Sequence, residues 1–186
     1  MDKIQKFGPT WRCEDHTELS DAFQQESVDF LKAFRSVCQS SEVVLYISLD
    51  LESAIWRVPI ANMELFDEST LRRATDHSLQ AYRVLLEYCG PLQSQPRGFQ
   101  DLAFSYMRTI RTNGPTFITK EGYISMARSK ETRLGDVVCI FLRATAPFIL
   151  QDGPEDRYTL ICEAHMHGIM DRELMEKNPK IQIDLI

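Results

Sequence analysis

No run of apolar residues in this chain approaches the ~20 needed to cross a bilayer as a helix. The first residues, Met1-Asp2-Lys3-Ile4-Gln5-Lys6, also lack the apolar core of a secretory leader. The expectation is a soluble, cytoplasmic protein. Basic charge is scarce and scattered. The net charge is -6 and no block of Lys or Arg stands out, which argues against nucleic acid as a partner, because phosphate backbones need a concentrated basic face. No C-x-x-C pair occurs among the five cysteines, Cys13, Cys38, Cys89, Cys139 and Cys162, so neither a zinc knuckle nor a redox dithiol is supported. G-x-S-x-G, the P-loop and G-x-G-x-x-G are absent as well, which removes the common hydrolase, NTPase and dinucleotide signatures. No cofactor is expected. Low-complexity tracts and internal repeats are missing too.

What is present is ordinary globular material. The 186 residues are 44% hydrophobic and 26% charged, enough for one domain with a sizeable core and too apolar for disorder. Residues 1 to about 16 read as irregular, broken by Gly8-Pro9. From Thr17 to Cys38, Leu19, Phe23, Val28, Phe30, Leu31, Phe34 and Val37 fall mostly at helical spacing, with Ser20 or Thr17 as the cap. Val43 to Leu49 is β-rich and reads as a short buried strand, although periodicity alone leaves a helix open. A second helix is marked by Asp67 as N-cap, by Leu71, Ala74, Ser78, Tyr82, Leu85 and Cys89 on one face, and by Gly90-Pro91 at its end. Leu92 to Gly98 reads as a linker and Phe99 to Ile110 as a third helix.

After Asn113-Gly114-Pro115 the pattern changes to short β-rich runs separated by turns. They are Thr116–Ile118, Tyr123–Met126, Asp136–Leu142, Pro147–Leu150 and Tyr158–His165. Helices first and strands later give an α+β class: N-terminal helices packed on a C-terminal antiparallel β-sheet or small barrel. The expected organisation is a single domain over 1–186, with a helical part at 1–53 and a terminal strand at 176–186.

Five ordered pieces carry a family resemblance. They are Ile55-Trp56-Arg57-Val58-Pro59-Ile60-Ala61-Asn62, Thr119 to Met126, Gly135-Asp136-Val137-Val138-Cys139-Ile140, Pro147-Phe148-Ile149-Leu150, and Cys162 through His167-Gly168-Ile169-Met170-Asp171-Arg172-Glu173. Together, over residues 54–175, they resemble the C-terminal region of fungal heterokaryon-incompatibility (HET) proteins. In that family the N-terminal half resembles a TIR-like fold linked to cell-death signalling. No counterpart of that half is visible here, so no nucleotide-cleaving activity is carried over. The chain departs from the family pattern at several positions. His165 stands where the family has tyrosine, Arg172 where it has glycine, Gln151 where it has arginine, and Val58-Pro59 where it has Thr-Leu.

Several constellations are candidates for chemistry. Glu163, His165 and His167 alternate along one strand and share a face. A three-ligand metal site is thus conceivable, but a two-residue strand repeat spans ~6.6 Å and rarely converges three ligands, so no metal is expected. His167 reads instead as a structural histidine and Glu163 as a buried hydrogen-bond partner. Asp136 reads as a turn carboxylate that accepts backbone N–H groups. Asp171 and Glu173 suit a helix start. Trp56-Arg57 pairs a large aromatic with a cation able to hold a carboxylate or carbonyl, or, equally, to tie loops together.

Two function classes follow. The first is a cofactor-free enzyme of fungal secondary metabolism, a cyclase or isomerase such as an intramolecular cycloaddition catalyst. It would hold a hydrophobic small-molecule substrate in a shaped apolar pocket. Arg57, His165, Tyr123 and His167 are its candidate hydrogen-bonding catalytic residues, and Trp56, Met126, Phe148, Met166 and Met170 its candidate substrate contacts. The second is a non-enzymatic HET-type binding or signalling module. Self-association as a homo-oligomer would suit that class.

Overall fold

The computed structural model describes residues 1–11, 20–41, 48–67, 70–87, 94–110, 114–170 and 183–185. In chain order the elements are β1 (Asp2–Thr10), α1 (Asp21–Gln39), α2 (Ser48–Arg57), β2 (Met63–Leu65), β3 (Leu71–Arg73), α3 (Asp76–Glu87), α4 (Arg97–Thr109), β4 (Pro115–Thr119), β5 (Ile124–Ala127), β6 (Val137–Cys139), β7 (Phe148–Asp152), β8 (Arg157–Met166) and β9 (Asp184–Leu185). The class is α+β, as expected.

Six antiparallel strands close into a ring. β1 pairs with β4 and β6, β4 with β5, β5 with β8, β8 with β7, and β7 with β6. Closure leaves none of these six strands with an unpaired edge along the whole ring. β8 makes this possible by its length. Residues 158–163 pair with β7 and residues 164–166 with β5. β9 adds parallel to the start of β8.

The sixth stave comes from the N-terminus, where sequence reasoning expected irregular chain. Residues 2–10 form a strand despite Gly8-Pro9 because the break is absorbed by register shifts against β4. Gly8 is needed there: a Cβ would lie 2.4 Å from Thr116 Oγ1, whose hydroxyl donates to the Pro9 carbonyl.

Two cores share one wall. One cluster draws Ile4, Phe117, Ala127, Val138, Ile149, Ala164 and Met166 from all six staves, and so fills the barrel. The other joins Phe23, Leu31 and Phe34 of α1, Ile55 and Trp56 of α2, Tyr82 and Leu85 of α3 and Met107 of α4 to Ile118, Ile124 and Met126. β4 and β5 are therefore buried on both faces, alternating side chains between the barrel and the helices.

Several local readings hold. Ser20 caps α1, accepting the Phe23 N–H at 3.1 Å, and Asp136 accepts the Arg133 N–H at 2.7 Å. The second helix is corrected: it begins at Asp76, and Leu71–Arg73 pairs with Met63–Leu65 as a hairpin. Asp67 caps the hairpin turn instead, accepting the Thr70 N–H at 2.7 Å. Ser48 and Leu49 begin α2 rather than ending a strand. The readings on Cys13, Thr17, residues 43–47, Cys89, Gly90-Pro91, Asp171, Arg172, Glu173 and 176–182 lie outside the described residues.

Candidate functional site

A cleft of about 670 Å³ opens between the barrel wall and the β2–β3 hairpin. Ala61, Met63, Leu71 and Arg73 form one side. Arg128, Thr145, Ala146, Glu163, Ala164 and His165 form the other, with Met170 beyond the end of β8.

The hairpin side is fixed by two charged anchors. Arg57, at the end of α2, donates from Nε to Ser53 Oγ (3.1 Å) and from Nη1 to the Asn62 side chain and the Ala74 carbonyl (2.9 Å). Its guanidinium also lies 4.0 Å over the Trp56 ring. The bond to Asn62 closes a turn in which Ala61 and Asn62 lie in the left-handed region, at φ 51° and 53°, a conformation that non-glycine residues adopt at a cost. Glu64, only 4% exposed, is the second anchor. Its carboxylate accepts from Arg72 Nε (2.7 Å), Ser78 Oγ (2.6 Å), and the N–H and hydroxyl of Thr75. Burial alone would raise this carboxyl. The bonds from Ser78, Thr75 and Arg72 outweigh burial and bring it down to about 2. Glu64 thereby caps the start of α3 and pins β2 and β3 to it.

The barrel side is shaped by strand alternation. Met126 and His165 are direct partners across β5 and β8, and Met126 packs into the helical core. His165 therefore points to the outer face of the barrel, whereas its neighbour Met166 fills the interior. The imidazole is 6% exposed, and among the described residues neither ring nitrogen has a hydrogen-bond partner. Burial, followed by the charges of His167, Arg73 and Arg128, pushes it down to about 3. It is neutral at physiological pH, with one N–H to give and one lone pair to receive.

The nine residues expected to form a site are not brought together. His165 and Met170 line the cleft. Arg57 turns its donors onto the hairpin, and Trp56 is buried in the helical core, its carbonyl accepting the Tyr106 hydroxyl at 2.6 Å. Met126 belongs to the helical core and Met166 to the barrel interior. Phe148 meets Phe141 in a tilted pair, with ring centroids 5.1 Å apart. Tyr123 packs against the barrel core, its phenol raised by burial and then by Glu121 and Asp2. His167 follows β8, its backbone N–H donating to the Ile124 carbonyl.

Glu163, expected to be a buried partner, is instead half exposed and ion-paired to Arg128 at 3.2 Å. Burial pushes the thiols of Cys38 and Cys139 up to about 12 and about 11, which suits packing and disfavours a nucleophile. Among the described residues no three His, Cys, Asp or Glu side chains cluster as metal ligands, and no helix is long and apolar enough to cross a membrane. Sequence reasoning missed Arg73, Arg128, Met63 and Leu71. The signal for two of them was the Glu64–Arg72 charge pair, which marks the hairpin holding Leu71 and Arg73.

No curated protein and no solved structure gives a significant match to this chain. A family model does: residues 98–186 match the Het-6 beta-barrel domain. The matched stretch supplies staves β4 to β8 and β9, and β1, outside it, completes the ring. The match over residues 98–186 is consistent with a HET-type C-terminal region.

Proposed function

We propose that the protein is a HET-type recognition module whose cleft binds a small molecule, with His165 as its polar contact. One observation carries this reading: His165 is buried, neutral and unpartnered among the described residues, on the wall of a cleft large enough for a metabolite. An unsatisfied buried polar group costs roughly 1–3 kcal/mol, and a ligand that pairs with it offsets that cost. The cleft volume falls in the ordinary range for small-molecule sites, about 300–1,000 Å³.

A second reading uses the same cleft for catalysis, as a cofactor-free cyclase or isomerase. It is favoured by the neutral imidazole in the cleft wall, which can donate to a carbonyl as charge develops there. It must work with His165 as donor, because Arg57 is engaged with Asn62 and Ala74, and Tyr123 and His167 lie outside the cleft lining.

Native mass spectrometry of the full chain, followed by release of whatever co-purifies, tests both readings. Binding predicts a small molecule carried by the wild type, lost in His165→Leu, and recovered unchanged after incubation. Recovery as an isomer of equal mass would replace the binding reading with the catalytic one. Equal loading of wild type and His165→Leu would refute the role given to His165.

A further inference from the structure

Resting on the reading of the cleft as a ligand site, we propose that its ligand is an anionic amphiphile. An oxyanion head, carboxylate or phosphate, is held between Arg73, Arg128 and His165, and an apolar body lies against Met63, Leu71 and Met170.

The first support is where the positive charge sits. The chain is acidic, at -6 overall, and has no basic block. Yet the cleft collects two arginines from different elements, Arg73 from the end of β3 and Arg128 from just after β5. A surface that is negative on average repels anions. Fixed cations gathered in a concave site reverse that locally and concentrate them.

The second support is how Arg128 is held. Glu163 is the acidic residue among the cleft lining. It meets Arg128 only through Nη1, at 3.2 Å, and both side chains are well exposed (65% and 47%). A pair this wet is weak. A guanidinium carries five N–H donors in a planar fork that matches a carboxylate or phosphate, so the donors that Glu163 leaves remain for a ligand.

The third support is His165 itself. Its N–H donor is buried on the same wall without a partner among the described residues. A neutral imidazole beside two guanidiniums adds a directional donor without adding a third charge to be desolvated. Apart from Thr145 the remaining lining is apolar, with Met63 and Leu71 on the hairpin and Met170 opposite. Methionines adapt to irregular apolar shapes. The cleft thus presents donors at one place and soft apolar surface beside them.

Isothermal titration of the full chain with octanoate, octyl phosphate, octanol and octylammonium tests the inference. The expected result is that octanoate or octyl phosphate binds at least about tenfold more tightly than octanol, weakens with added salt, and outcompetes octylammonium. The stronger of the two anions identifies the head group. Arg128→Met and Arg73→Met should each weaken the anion by about tenfold and leave octanol unchanged. Arg→Lys at the same positions should recover part of the loss and guards against a variant that merely misfolds.

Octanol binding as tightly as the anions, with loss in His165→Leu, would overturn the anion inference and leave the ligand site standing. A preference for octylammonium would overturn it in favour of Glu163 as the head-group partner. No binding by any probe, together with no metabolite on the purified protein, would sink both the inference and the ligand-site reading.

Discussion

His165 is the residue on which the account turns, and its cost to the fold is measurable. An imidazole buried without hydrogen-bond partners among the described residues is held down to about 3, by burial first and then by His167, Arg73 and Arg128. Its ordinary value in the unfolded chain is about 6.5. Between those values the unfolded chain binds one more proton than the folded one, so stability falls as pH falls through this window. From pH 7 to pH 5 the wild type should lose about 2 kcal/mol more than His165→Leu does, read by urea denaturation at the two values. Equal losses would mean that the ring is solvated or paired in solution. Arg57 makes the contrasting case. Its sequence neighbourhood suggested either ligand contact or loop bracing, and the bonds to Ser53, Asn62 and Ala74 select bracing. One sequence could not separate the two, because both need an exposed cation beside an aromatic ring.

At the scale of elements, helices α1 and α4 were legible because their apolar spacing and the Ser20 cap agree with their packing. The start of α3 was not. Leu71, Ala74 and Ser78 continue its helical spacing, but Leu71 is claimed by pairing with Leu65, and Arg72 with Glu64. Tertiary pairing overrode local periodicity, and the misreading concealed Arg73 and Leu71 on the cleft wall. Glu64 sets this boundary. Glu64→Gln keeps one acceptor but turns an amide toward the Thr75 N–H and the Ser78 hydroxyl, and should cost about 1–3 kcal/mol in unfolding free energy. Because Glu64 is held down at about 2, its stabilisation is complete above the ordinary carboxylate value, about 4.3, and is lost as pH falls toward 2. The Gln variant should therefore lose less stability than wild type over pH 4.5 to 2.5. An identical acid profile would show that Glu64 is not the anchor.

For the whole molecule, the α+β class and five staves of the barrel could be read from β-rich runs and turns. Closure could not. The run Lys3-Ile4-Gln5-Lys6-Phe7 alternates too briefly to signal a strand, and Gly8-Pro9 argues locally for a break. The demand for β1 is global: without it β4 and β6 would face each other across an open seam. β1 also packs against α1 and leads into Trp11 of the helical core. We propose that helices and barrel fold as one unit. Deleting residues 1–10 should then abolish the single cooperative transition followed by tryptophan fluorescence, since Trp11 and Trp56 both report on the helical core. A truncated chain with wild-type melting behaviour would show that the barrel does not need its sixth stave.

The most direct test of the central claim, that His165 serves a ligand rather than the fold, is the unfolding free energy of His165→Leu at pH 7, measured on ligand-stripped protein. The variant should lie within about 0.5 kcal/mol of wild type or be more stable, since the substitution removes two buried nitrogens that have no partner among the described residues. A loss of more than about 2 kcal/mol would contradict it, because an imidazole that costly to remove must be holding the structure together.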